Sequence, residues 1–145
     1  MTMEYLFPSK EWAEEFCRKL NESKSYRDSA KKWEGSILFS AVNLPDKIKE
    51  LYGRDSVGFV LDLWHGECRG SKWFEDVSEA EADYILEAAY DDWIKVIEGK
   101  ISPVAALVTK KIRVKKGSIA TIMRFTLASI NMVKVAQEVP TKKVE

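Results

Sequence analysis

The sequence predicts an α+β fold in which helices at both ends enclose a run of short strands. Near the N-terminus Trp12, Phe16 and Leu20 stand four residues apart, the spacing of a helix with one buried stripe. The middle of the chain changes to short β-rich segments, and the one from Ser36 to Val42 is apolar on both faces. The last third returns to helix, and its final segment is apolar almost all the way round. At 145 residues the chain reads as one domain, 1–145, long enough to bury roughly 70% of its unfolded surface. Residues 139–145 read as a polar tail that frays.

Each element has a local cause. Ser9 after Pro8 caps the first helix, and Glu11 in the first turn favours its dipole. Asn21-Glu22-Ser23 interrupts it weakly; Tyr26, Ala30 and Trp33 continue the spacing to Gly35, giving one bent helix or two short ones. Pro45 opens a short helix, Asp46 to Tyr52, that Gly53 closes. Val57 to Cys68 reads as the longest strand, with Phe59, Leu61, Leu63 and His65 on one face. Gly70-Ser71 marks a turn or bulge before a second strand at Lys72-Trp73-Phe74. Ala82 to Ala89 is a further strand, with Tyr84, Leu86 and Ala88 on one side.

Asp91 or Asp92 caps the next helix, which carries Trp93, Ile94, Val96 and Ile97 and ends at Gly99. Ser102 and Pro103 restart the chain as a small apolar helix to Val108. Lys111 to Lys115 alternates charged and apolar residues, so Ile112 and Val114 face inward from an edge strand whose lysines oppose aggregation. Gly117-Ser118 turns the chain into a last helix, about Ile119 to Gln137.

That helix has two apolar stripes. One is Ile119, Ile122, Met123, Thr126, Ile130 and Val133; the other is Phe125, Ala128, Met132, Val135 and Ala136. Two stripes need two burying surfaces. The sheet supplies one, and a cavity ligand, a partner or a membrane must supply the other. A chain of about 12 carbons has roughly 10 kcal/mol of gross drive at about 0.8 kcal/mol per methylene. Ordering and association offset several kcal/mol of it.

Composition excludes several classes. A hydrophobic share of 46% and a charged share of 32% are those of a globular protein. No apolar run approaches the roughly 20 residues of a membrane-spanning helix, and Met1-Thr2-Met3-Glu4-Tyr5 lacks the features of a secretory signal. Cys17 and Cys68, without metal-type spacing, are expected as free thiols in a reducing cytosol, so the protein is expected to be cytoplasmic. Net charge is zero but unevenly spread: Thr109 to Glu145 holds nine basic and two acidic residues, and Glu75 to Glu98 holds nine acidic residues against Lys95. Such asymmetry can steer an anionic partner. Nucleic acid is not expected, because the basic residues are not interleaved with aromatics and the pI is about 6.6.

Candidate chemistry is sparse. The lone histidine stands in His65-Gly66-Glu67-Cys68, but on a strand His65 and Cys68 point to opposite faces and cannot share a metal. Asp83, Asp91 and Asp92 are the other acidic candidates, the last two explained as cap and first-turn residues. There is no phosphate loop, nucleophile elbow or zinc-protease helix. No catalytic residue, cofactor or metal is expected.

An ordered series of motifs resembles the sterol carrier protein type 2 family of nonspecific lipid-transfer proteins. It comprises Ala82-Asp83-Tyr84-Ile85, Asp92-Trp93, Ile97-Glu98-Gly99-Lys100, Ser102-Pro103 with its apolar helix, Thr109-Lys110-Lys111-Ile112-Arg113-Val114, and Lys116-Gly117-Ser118. Lys110 stands where the family usually has glycine, and Ser118 where it usually has aspartate. The resemblance implies a mostly antiparallel five-stranded sheet covered by helices, with an apolar tunnel under the C-terminal helix and no catalytic residues. It implies carriage of a fatty acyl, isoprenoid or sterol-like lipid. The expected lining is Leu63, Trp93, Leu107, Val108, Ile112, Phe125, Ala128, Met132 and Val135. Lys110, Lys111, Arg113 and Lys115 are placed to attract an anionic headgroup or membrane surface. The alternative is an interaction or accessory domain, a homodimer or an enzyme's partner, using the same apolar helix without a ligand.

Overall fold

The structure is a computed structural model and describes residues 3–144. A short strand β1 (Tyr5–Leu6) leads into α1 (Lys10–Glu22) and α2 (Lys24–Ser29). Ser9 Oγ accepts from Trp12 N and caps α1; Ser23 Oγ accepts from Tyr26 N and caps α2. The serine that starts α2 therefore ends α1, and the segment is two helices. Then follow β2 (Ile37–Val42), α3 (Asp46–Tyr52), β3 (Val57–Trp64) and β4 (Glu67–Phe74). After a single 3₁₀ turn, Val77–Glu79, come β5 (Tyr84–Ala89), α4 (Tyr90–Ile97), α5 (Pro103–Val108) and β6 (Arg113–Lys116). The chain closes with α6 (Ile119–Arg124), α7 (Thr126–Glu138) and β7 (Thr141–Lys142).

Five strands form one sheet in the order β4-β3-β2-β5-β6. Only β2 and β5 run parallel; the other pairs are antiparallel. The register sets Trp73, Phe59, Phe39, Leu86 and Val114 in one row across it. This row faces the helices and belongs to the main core, which also takes in Trp12, Phe16 and Leu20 of α1. The opposite face buries only a small cluster of Leu38, Val60 and Ala82, covered by Phe74 and Val77. The helices thus share one side of the sheet, and any large cavity must lie there.

Several expectations are corrected. Val57 to Cys68 is not one strand: it reverses at His65 (φ 50°) and Gly66 (φ 84°), a two-residue turn with both φ values positive. Gly66 is required twice, because a Cβ there would also lie 2.4 Å from the Arg27 carbonyl oxygen of α2. Neither Asp91 nor Asp92 caps α4; Ala89 is the cap residue and the two aspartates occupy the first turn. The last helix is broken at Phe125 (φ −104°, ψ 39°). There Phe125 N bonds Ile122 O, and the Thr126 hydroxyl donates to Met123 O at 2.7 Å, satisfying carbonyls that a continuous helix would use. The stripe assigned to the sheet is therefore split: Ile122 is buried but Ile119 is exposed.

The tail does not fray over its described part. β7 pairs in parallel with β1, and the Trp12 indole donates to Thr141 Oγ1 at 2.9 Å. Val139 is buried beside them. Nor are the cysteines free: Cys17 of α1 and Cys68 of β4 form a disulfide with Cα atoms 5.5 Å apart. The hairpin makes this possible by folding Cys68 back onto the buried face of α1, where the Asn21 amide clamps its backbone N and O at 2.8 Å each. The thiols that argued for a reducing cytosol cannot carry that reading. Among the described residues no helix is long and apolar enough to cross a membrane.

Candidate functional site

Between the sheet and α7 lies an apolar cavity of about 90 Å³. Ile37, Phe39, Leu63 and Leu86 form its floor, and Ala128, Met132 and Val133 of α7 form its roof. Trp33 and Tyr26 close one side, Trp93 and Val96 of α4 the other, and Leu107, Ile112, Ile122 and Phe125 the end nearest α5 and α6. A second lobe of about 60 Å³ lies beside it, toward Phe7, Trp12, Phe16 and Phe59. Phe39, Trp93, Val96, Met132 and Val133 border both lobes. No charged residue lines either.

The walls are fixed by internal hydrogen bonds. The Trp93 indole N–H donates to Ser40 O at 2.8 Å, locking α4 to β2. The Trp33 indole donates to Gly35 O at 2.8 Å, and its ring meets Phe125 edge-on at 5.0 Å. Asn131, buried on α7, donates to Ser25 O at 3.2 Å and Ser29 Oγ at 3.1 Å, pinning α7 to α2. Buried polar groups are here spent on positioning the roof.

Seven of the residues expected at the lining sit on the cavity wall: Leu63, Trp93, Leu107, Ile112, Phe125, Ala128 and Met132. Two do not. Val108 is 67% exposed, because α5 ends there and only its Ala106-Leu107 face turns inward. Val135 is buried in the core but on neither lobe; Val133 and Ala136 take the wall positions. Sequence reasoning missed Tyr26, Trp33, Phe39, Leu86 and Val96. For Phe39 no signal existed, since a strand apolar on both faces does not reveal which face is lined. Tyr26 and Trp33 were visible as a helical stripe, but a stripe does not separate wall from filled core.

The basic strand is partly neutralised. Arg113 bonds Glu87 at 2.8 Å and Lys111 lies 3.8 Å from Asp92. Lys110 and Lys115 have no carboxylate partner among the described residues. Lys110 has φ 62°, the left-handed conformation that ends α5 and that glycine adopts freely. The backbone shape expected of glycine is thus present with a lysine in it. His65 stacks on Trp64 and its Nε2 lies 2.6 Å from Glu34, while Cys68 is held in the disulfide. The two form no nucleophile–base pair. Among the described residues no group of three or more His, Cys, Asp or Glu is placed to hold a metal.

Comparison with known proteins gives consistent results. The model of the SCP-2 sterol transfer family matches residues 13–127. A crystal structure of sterol carrier protein 2 is 44% identical, with a TM-score of 0.80 over 90% of this chain and 97% of that one. A solution structure from Thermus thermophilus, of a conserved hypothetical protein given as a possible sterol carrier protein, is 42% identical. Its TM-score is 0.82 over 98% of this chain and 94% of that one. Apo sterol carrier protein 2 from Yarrowia lipolytica, 20% identical, shares the fold at a TM-score of 0.55 over 88% of each chain. No curated protein matches. The chain belongs to the SCP-2 sterol transfer family.

Proposed function

We propose that this protein binds and carries a fatty acyl, isoprenoid or sterol-like lipid in the two-lobed cavity under α7, without catalysing a reaction. One observation carries the reading: a cavity walled by apolar side chains and free of charge lies beneath a helix that is apolar on most sides. Such a space favours a guest by the hydrophobic effect, and no charged side chain lines it.

The size of the lobes adds a condition. A cavity on the order of 150 Å³ holds a guest the size of benzene, so a longer chain requires that the lobes join and their shared wall part. Met132 stands in that wall, and an unbranched thioether with three rotatable bonds yields more readily than its neighbours. Lipid entry is therefore coupled to displacement of Met132. Lys110, the unpaired cation that follows α5, and Lys115 on the edge strand β6 draw the protein to an anionic membrane surface, an attraction that salt screens.

Replacing Met132 by Glu tests the reading. A carboxylate in the shared wall reduces uptake of a fluorescent fatty alcohol by more than about tenfold, while Met132→Leu retains it. Equal uptake by Met132→Glu and the parent protein contradicts a lipid path through this wall.

A second reading rests on Val108, Ile119 and Leu127, each at least 50% exposed on the α5–α6–α7 side. Apolar side chains left outside suit a homodimer or a partner enzyme. A lipid-free homodimer in sedimentation, dispersed by Leu127→Glu, would favour that reading.

A further inference from the structure

The two ends of the chain meet beside the second lobe, and their contacts fall on its walls. After α7 the chain is anchored at Val139, which is 2% exposed; residues 140–144 follow as a short strap whose Lys142 and Lys143 are exposed. Thr141 Oγ1 accepts from the indole of Trp12, a wall residue on α1, at 2.9 Å. Lys142 O accepts from the backbone N–H of Phe7, another wall residue, at 3.2 Å, and Pro140 O from that of Tyr5 at 2.8 Å. At α4, Lys143 pairs with Glu98, which follows the wall residue Ile97, and Val144 N donates to the Tyr90 hydroxyl at 3.4 Å. The Tyr90 ring in turn lies 6.2 Å from that of Phe7. One segment issuing from α7 thus ties α1 and α4 together around Phe7.

The strap itself is lightly held. β1 and β7 pair over two residues each, and the Lys143–Glu98 pair is partly open to solvent. Few buried side chains and solvent-facing hydrogen bonds mark a segment that opens locally while the core stays folded. No residue of the strap lines either lobe.

Resting on the lipid-carrier reading, we infer that residues 140–144 latch a gate through which lipid enters and leaves the second lobe. When the strap lifts about Val139, Trp12 loses its acceptor and Phe7 its backbone partner, and the seam between α1 and α4 parts at Phe7 and Pro8. Phe7, Pro8 and Trp12 border the second lobe and not the first, and no residue of α5 or α6 borders the second. Lipid therefore passes at the end of the cavity away from α5 and α6. Because the strap touches the walls and not the guest, it sets how fast lipid exchanges and leaves the affinity alone.

Stopped-flow uptake and release of a fluorescent fatty alcohol by the full chain tests the gate. Thr141→Val removes the acceptor of the Trp12 indole and is expected to raise both rate constants about three- to tenfold, the share of one hydrogen bond. Lys143→Glu, an exposed change that sets like charges together at Glu98, raises both about two- to fivefold. In each variant Kd stays within about twofold of the parent value. The Tyr5 and Phe7 amides, which donate to the strap, report its opening by hydrogen exchange in the lipid-free protein. Their exchange in Lys143→Glu accelerates by the same factor as probe release.

Faster exchange of those two amides with unchanged probe rates overturns the gate, since the strap then opens without admitting lipid. A weakened Kd with an unchanged association rate overturns it too, because that marks a packing role. Amides and probe rates both unmoved in the two variants overturn the latch. Parent protein that takes up no fluorescent fatty alcohol overturns the carrier reading, and the gate with it.

Discussion

Ala128 offers a substitution whose effect on stability has opposite signs for an empty and a filled wall. It sits on the roof of the larger lobe with its methyl group facing about 90 Å³ of space. Leucine there adds three carbons. If they enter the void they gain roughly 2.4 kcal/mol of transfer free energy at about 0.8 kcal/mol per carbon. Fixing the new rotamer takes back about 0.5–1 kcal/mol. The net expectation is a stabilisation of about 1.5 kcal/mol, which in a chain of this size raises Tm by roughly 5 °C. A wall already packed at native density would instead lose about 1–3 kcal/mol to overpacking. Calorimetry on the lipid-free variant reads the sign, and 1-decanol uptake must fall in the same protein because the space is used. A lowered Tm with undiminished uptake would refute the reasoning.

Three further outcomes follow from the geometry. Lys110→Gly relieves a left-handed residue whose strain is roughly 1–2 kcal/mol, less the extra unfolded-state freedom of glycine, so urea denaturation should give a gain of about 0.5–1 kcal/mol; a loss would show that lysine contributes something else there. The Cys17–Cys68 disulfide spans 51 residues of sequence, a loop whose closure is worth about 4 kcal/mol. Reduction should lower the denaturation midpoint accordingly, and an unchanged midpoint would contradict a stabilising cross-link. Burial raises the phenols of Tyr26, Tyr52 and Tyr90, that of Tyr52 to about 12, against an ordinary value of about 10. Raised acids favour the fold in their neutral form, so this stability is complete below about pH 10 and is lost as pH climbs toward and past 12. Absorbance of phenolate measured alongside circular dichroism should show these tyrosines ionising only with unfolding; ionisation near pH 10 in a folded protein would contradict it.

What the sequence disclosed depended on the range of the signal. Ser9, Ser102 and Ser118 were legible as caps because each acts on a backbone N–H three residues away, at 3.1, 3.1 and 3.2 Å. Most strand segments were legible too, since β-rich patterning is local, whereas the five-stranded, mostly antiparallel sheet was expected only from the family resemblance. The His65-Gly66 turn was hidden because apolar alternation runs straight through it and histidine is not the usual residue there. Nothing local announced the break at Phe125, which lacks glycine and proline and depends on the Thr126 hydroxyl. The disulfide depends on a contact between α1 and β4 that no spacing reveals. The cavity stood between these cases. Two stripes on one helix argued for a second burying surface, but only packing could separate Met132 on the wall from Val135 in the core. Tyr26 was visible only as one apolar member of a stripe, and its place on the cavity wall belongs to the tertiary structure alone.

Native mass spectrometry of the freshly purified protein tests the carrier most directly. A lipid carrier shows a bound species that organic extraction removes and that added long-chain alcohol restores at one per chain. A bare monomer that acquires no mass from any added lipid would contradict it.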